Sequence, residues 1–225
     1  MFRFFVTNKI SETHFEISEE TFKHMKVARV LNEKFICIFE SKFYVCEMDG
    51  QQAKIIEVLE EDHEHGGEVI VAAALINIKR FEWMIQKAAE LGATKIIPLI
   101  TKRVEIKIND KFFKKIERWN QISHNACEQS FRNIKMIVTE PMRFEDALDI
   151  EVENKFIAHE KTKKSVSNSF PTNSIFFIGP EGGFSNEEVD LAEEKGCSNI
   201  SLGKRILRAE TASIFVLSKV IGENI

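Results

Sequence analysis

From Val69 onward, short apolar runs alternate with amphipathic stretches, and this alternation limits the possible folds more than any other feature of the chain. Residues 69–76, 95–100, 134–139, 155–158, 175–178 and 199–202 are strand candidates. Several are apolar without interruption, the pattern of strands covered on both faces. Between them, Phe81, Met84, Ile85, Ala88 and Leu91 share one helical face that Gly92 can end, and Phe112, Ile116, Trp119, Ile122 and Cys127 mark a longer helix. The succession predicts an α/β domain built on a mainly parallel sheet.

The preceding residues follow another pattern. Residues 2–6 suit a strand, and Ser18 with Glu19 and Glu20 predicts the start of a helix whose apolar face is Phe22, Met25, Val27, Ala28, Val30 and Leu31. Strand-like runs follow at 34–39, 42–48 and 53–59, the first two joined at Glu40-Ser41 as a hairpin. This is material for a small β-barrel. The acidic stretch from Glu60 to Glu68 breaks the periodicity around Gly66-Gly67 and reads as a linker, which puts a boundary between domains 1–68 and 69–225.

The 225 residues carry 31 Lys and Arg against 35 Asp and Glu, a net charge of −4, so the chain has no uniformly basic coat for nucleic acid. Divided along the chain the balance is −6 over residues 1–68, +7 over 69–143 and −5 over 144–225. The basic third includes Lys79, Arg80, Lys102, Arg103, Lys107, Lys111, Arg118 and Arg132, interleaved with Trp83, Phe112, Phe113, Trp119 and Phe131. By itself that pattern is also a solvated helix face over a core stripe. Apolar residues at 44% exclude a disordered chain, and no uncharged apolar run is long enough to span a membrane. With no signal peptide evident, the expected location is the cytoplasm. Cys37, Cys46, Cys127 and Cys197 form no CxxC pair and read as small buried hydrophobes. His63 and His65 lack further ligands at zinc spacing, so no metal site is expected.

Chemistry is expected near the end of the chain. Gly179, Gly182, Gly183, Gly196 and Gly203 are half of the 10 glycines, and three follow directly on the buried run 175–178. Ligands of parallel α/β sheets bind beyond the carboxyl ends of the strands. Glycine lets the backbone approach a ligand, Pro180 stiffens the loop, and Ser185 with Glu188 predicts a capping box. Without Gly-Lys-Ser or GxGxxG, and with Glu181 inside the loop, a phosphate cradle is disfavoured. A second loop, Gly203-Lys204-Arg205-Ile206-Leu207-Arg208-Ala209-Glu210-Thr211-Ala212, leads toward an apolar helix expected at 213–221, and His159-Glu160 follows the run 155–158. If the three strands are neighbours, their loops converge on one pocket.

These residues also carry a resemblance. Gly179-Pro180-Glu181-Gly182-Gly183-Phe184-Ser185 with Glu188, then Leu202-Gly203 and Arg205-Ile206-Leu207-Arg208-Ala209-Glu210-Thr211-Ala212, resemble the signatures of the RsmE family of ribosomal RNA methyltransferases. Lys87-Ala88-Ala89-Glu90-Leu91-Gly92, Pro98-Leu99, Arg118-Trp119, Ala126, Glu128-Gln129-Ser130 and Arg132 are similar to the same family in the same order. In the N-terminal part His24, Arg29, Val30 and Leu31 fit its pattern, while the glycines often found after that helix are absent.

The resemblance implies a SPOUT-type parallel-sheet domain with a C-terminal trefoil knot, which general topology rules would treat as a rare exception, preceded by a PUA-like β-barrel. It implies a homodimer that uses S-adenosylmethionine and no metal to methylate N3 of a uridine in 16S rRNA of the small ribosomal subunit. The implied cofactor-binding residues are His159, Glu160, Gly179, Pro180, Glu181, Gly182, Gly183, Leu202, Gly203, Leu207, Thr211 and Ala212. Arg208, Glu210 and Arg205 are the expected catalytic residues, with Glu210 as base or as partner of Arg208 and Glu181 as the other candidate base. Arg3, Arg29, Arg80, Arg103 and Arg132 are expected on RNA. Two alternatives stand beside this reading: a noncatalytic RNA-binding or assembly protein on the same fold, and a methyltransferase acting on a ribose 2′-hydroxyl or another base.

Overall fold

A computed structural model of the chain describes residues 1–104, 110–159 and 167–222, the side chains of Asp110, Lys111 and Phe113 excepted. Contacts divide it into two units, one of Met1–Glu64 with Cys127–Ile134 and one of His65–Ala126 with Lys135–Ile225.

The first unit is a six-stranded sheet in the order β1-β4-β5-β6-β3-β2, from β1 (Arg3–Phe5), β2 (Lys9–Ser11), β3 (His14–Glu16), β4 (Phe35–Phe39), β5 (Lys42–Asp49) and β6 (Gln52–Leu59). β1 runs parallel to β4 and the remaining pairs are antiparallel. Glu40 at φ 47° and Ser41 at φ 61° form the expected two-residue hairpin, whose left-handed backbone matches strand twist. Helix α1 (Glu19–Ala28) starts where Ser18 accepts the Thr21 N–H and stops at Arg29, which turns left-handed at φ 60°. Phe4, Phe15, Met25, Phe35, Cys37, Cys46 and Ala53 fill the core. Burial and the adjoining Cys46 thiol push the Cys37 thiol up, with the Cys46 hydrogen bond the larger cause.

Two expectations change here. Val27 is 83% exposed, so the face of α1 turned to the core is narrower than its apolar residues suggest. The acidic stretch is not a solvated linker at Glu64, whose carboxylate accepts Arg132 Nε at 2.9 Å, Arg132 Nη2 at 2.6 Å, and the backbone N–H groups of Asn133 and Ile134. The Arg132 side chain is 3% exposed and that of Glu64 13%. Asn133 adds bonds to the Ser41 and Glu61 carbonyls.

The second unit is a seven-stranded parallel sheet. Its path is β10-β8-β7-β12-β11-β13, with β9 also on β8, from β7 (Val69–Ala74), β8 (Lys95–Ile100), β9 (Ile137–Val138), β10 (Met142–Arg143), β11 (Asn154–Ala158), β12 (Ser174–Ile178) and β13 (Ser198–Ile200). Every residue of β7 and β12 is buried, as their unbroken apolar runs require. The helices are α2 (Ile78–Glu90), α3 (Asp110–Gln129), whose last residues fall in the first unit, α4 (Phe144–Ala147), α5 (Asn186–Glu194) and α6 (Ala209–Leu217). Asn77 caps α2 by accepting the Lys79 N–H, and Gly92 at φ 84° ends it. Trp119 of α3 is fully buried against Phe81 at 4.7 Å. The C-terminal residues pair back onto the chain: Phe170 bridges Val220, and the Lys219 ammonium reaches the Ser167 carbonyl.

The run 134–139 contributes only β9, and β10 and α4 are short elements that no sequence period announces. The last helix begins at Ala209 and ends at Leu217, so Glu210, Thr211 and Ala212 form its first turn. His65 packs at the end of α2, with Nε2 3.1 Å from the Leu91 carbonyl. All four cysteines are buried and free, as expected. Lys107, Lys111, Phe113 and residues 161–166 of the polar loop lie outside the described residues or side chains.

Glu64→Ala leaves Arg132 buried without its carboxylate, so urea denaturation should report a loss of about 3–5 kcal/mol. Gly92→Ala drives a Cβ into the His65 ring at a φ of 84°, and the same measurement should show a loss of about 1–3 kcal/mol.

Candidate functional site

β12, β11 and β13 are adjacent, and the loops leaving their carboxyl ends meet in one cavity of about 200 Å³. The Phe177–Ile157 and Ala158–Ile200 registers align the three ends, and the His159 N–H donates to the Ile200 carbonyl at 3.2 Å. After β12 the loop doubles back through the Gly183 N–H, which donates to the Pro180 carbonyl at 2.8 Å. That turn depends on glycine: Gly183 has φ 66°, and a Cβ on Gly179 would lie 3.2 Å from the Gly183 backbone. Ser185 then opens α5 with the full capping box, its hydroxyl accepting the Glu188 N–H and Glu188 Oε2 accepting the Ser185 N–H.

Most residues singled out in the sequence line this cavity: His159, Gly179, Pro180, Glu181, Gly182, Gly183, Leu202, Gly203, Arg205, Leu207 and Ala212. Thr211 is exposed and outside the wall, because its position in the first helical turn points elsewhere than that of Ala212. Glu160 lies outside the described residues. Arg208 is the exposed N-cap of α6 and makes no side-chain cap bond. Among residues not read as cofactor contacts, Arg103, Ile178, Phe184, Asn186, Lys204 and Ile206 also line the cavity. Ile178 and Phe184 could have been found as the apolar neighbours of the glycines. Arg103 could not, since only the sheet brings the end of β8 there.

Two carboxylates beside the site share one cation. Glu210, 7% exposed, has Arg80 Nε at 3.8 Å, and Glu181 has Arg80 Nη1 at 3.5 Å. The cation beside Glu210 among the described residues is thus Arg80 of α2, where the sequence suggested Arg208. Glu187 is drawn down to about 2 by the Ser185 hydroxyl, its own backbone N–H and Lys102.

The arginines expected on RNA separate. Arg29 is exposed. Arg3 lies 4.7 Å above the Phe131 ring, and burial lowers its affinity for a proton against the opposing pull of Glu128. Arg132 is enclosed by Glu64 and has no open face for a phosphate, a correction with a plain cause in burial. Arg103 donates to the Gly182 carbonyl.

Glycine backbone on one side and Ile178, Phe184, Leu202, Leu207, Ala209 and Ala212 on the other offer peptide hydrogen-bonding groups beside apolar surface. Such a wall suits a ligand with a flat apolar part and several polar groups. Among the described residues no group of three or more His, Cys, Asp or Glu could hold a metal ion, and no helix is long and apolar enough to cross a membrane.

Known proteins match this architecture closely. The family model for the RNA methyltransferase domain matches residues 63–221. Ribosomal RNA small subunit methyltransferase E of Mesomycoplasma hyopneumoniae (strain 232) is 40% identical, covering 98% of this chain and 99% of its own length. The protein of that name from Bacillus subtilis (strain 168) is 33% identical over 92% of this chain and 89% of its own. Among solved structures, a Legionella pneumophila methyltransferase in complex with the bound cofactor SAM superposes with TM-score 0.85 at 32% identity, covering 96% of this chain and 95% of that one. Ribosomal RNA small subunit methyltransferase E from Neisseria gonorrhoeae, bound to S-adenosyl methionine, gives 0.84 at 27% identity, covering 97% and 95%. Matched by the domain model through its parallel sheet and by relatives from end to end, this chain belongs to the ribosomal RNA small subunit methyltransferase E family.

Proposed function

We propose that this chain transfers a methyl group from S-adenosylmethionine to N3 of a uridine in the 16S RNA of the small ribosomal subunit. It does so as a cytoplasmic homodimer, with residues 1–68 as a PUA-like RNA-binding barrel and 69–225 as a SPOUT domain closed by a trefoil knot. The observation that carries the reading is the convergence of three strand-end loops on one glycine-walled cavity in a chain of this family.

Bound in that cavity, the cofactor supplies an electrophilic methyl group on a sulfonium. Backbone groups of Gly179, Pro180, Glu181, Gly182 and Gly183 and of Leu202, Gly203 and Leu207 hold it, with His159 and Ala212 on the flanking walls. Glu160 follows His159 directly and belongs to the same set. Ile178, Phe184 and Leu207 keep water from the buried side. Because methyl transfer is an in-line displacement, most of the rate comes from alignment and from charge stabilisation.

N3 of uridine carries a proton that must leave before the nitrogen attacks. Arg208, free of capping duty, faces the charge that spreads to O2 and O4 as that proton departs, and Arg205 is second in this role. Glu210 accepts the proton, and Arg80 fixes its carboxylate; Glu181, on the same guanidinium, is the other candidate base. Arg29 and the exposed Lys79 meet RNA phosphates, and the target base is reached unstacked.

N3 methylation blocks the Watson–Crick edge, so reverse transcription of 16S rRNA from a strain lacking the gene should lose one stop and regain it on complementation. Unchanged stops would exclude N3 as the acceptor. Arg208→Ala should lower kcat by about 10²-fold with cofactor Kd changed by no more than about twofold. An equal loss of cofactor affinity would put that residue in the binding wall instead.

A further inference from the structure

The loop after β8 is stitched at three points to the glycine-rich loop and the first turn of α5. Glu188 is 7% exposed and uses both carboxylate oxygens, Oε2 on the Ser185 N–H at 2.7 Å and Oε1 on the Lys102 N–H at 2.8 Å. The Lys102 ammonium lies 3.3 Å from the Glu187 carboxylate, which stays ionised at any pH near neutrality because it titrates at about 2. Arg103 donates from Nη1 to the Gly182 carbonyl, and its Cδ lies 3.3 Å from where a Cβ on Gly182 would project.

A basic residue on an RNA-modifying enzyme is by default a phosphate contact. Arg103 is placed differently. Its guanidinium is directed at a main-chain carbonyl of the cavity wall, and its own backbone follows a residue that Glu188 holds. Gly182 has no side chain to fix its peptide, and Gly183 beyond it adopts φ 66°, a conformation with much freedom to lose. We infer that Arg103 is a positioning residue for the cofactor: it holds the Gly182 carbonyl, and with it the path from Pro180 to Gly183, in the shape that receives S-adenosylmethionine. The inference rests on the reading of this cavity as the cofactor site.

Calorimetric titration of the full chain with S-adenosylmethionine tests it, comparing wild type, Arg103→Ala and Arg103→Lys, alongside the salt dependence of binding to a 16S RNA fragment. Arg103→Ala should weaken cofactor binding about tenfold and raise the cofactor KM in parallel, with kcat at saturation, RNA affinity and melting temperature nearly unchanged. Arg103→Lys, which keeps a donor able to reach the carbonyl, should recover most of the loss. Unchanged cofactor affinity in Arg103→Ala, with a salt slope reduced by about one, would make the residue a phosphate contact and overturn the inference. Equal losses in both variants with a lowered melting temperature would overturn it as well, in favour of a structural role. A wild-type chain that fails to bind S-adenosylmethionine would overturn the cofactor reading itself, and the inference with it.

Discussion

The position of β12 governs the second unit. It enters the sheet after β11 in the chain but lies between β11 and β7, with its main-chain groups used by a parallel partner on each side. A fully apolar strand with both edges paired has no other place to go, since an open edge would leave peptide groups unsatisfied. Once β12 is seated, the carboxyl ends of β11, β12 and β13 stand side by side, and three loops far apart in sequence share one cavity. At Gly179 glycine is then a steric requirement, because neighbouring backbone already occupies the room a side chain would need, while at Gly183 the positive φ favours it.

The charge distribution has a less obvious outcome. The basic middle third carries +7, yet much of that charge is spent within the protein. Arg118 holds Glu82, Arg132 holds Glu64, Lys95 holds Glu68 and Lys102 holds Glu187. Most of these pairs are exposed and contribute little to stability, whereas the Arg132–Glu64 pair is enclosed and costly to break. A positive segment therefore does not translate into a positive surface, and counting cations overstates the area open to RNA.

The sequence was most legible where one rule governed a segment. Continuous apolar runs gave β7, β8, β11 and β12, the Ser185–Glu188 pair gave a cap that exists as written, and Glu40-Ser41 gave the hairpin. Three-residue strands such as β2 and β3 escaped because so short a run has no readable period. The last helix was placed four residues late because charged Arg208 and Glu210 look like loop, although Glu210 is buried beside Arg80 from another helix. The same limit hid the place of Arg103 on the cavity wall, so that it read only as an RNA contact: motif reading finds the loops that supply a wall, while a side chain arriving from beyond a distant strand is visible only once the sheet is assembled. Arg132 failed as an RNA contact for the related reason that its partner Glu64 lies 68 residues earlier.

Helix α6 also bears on how the cavity is assembled. Ala209 and Ala212 complete the cavity wall, and the residues just beyond α6 pair with Phe170 and lie against His65. The cavity wall is therefore discontinuous in sequence and is complete only once α6 has packed against the loops that follow β11, β12 and β13. A copy in which α6 failed to dock would keep every strand of the second sheet while lacking the surface that Ala209 and Ala212 give the site. Ligand binding in this architecture thus reports the docking of α6 as well as the order of the sheet.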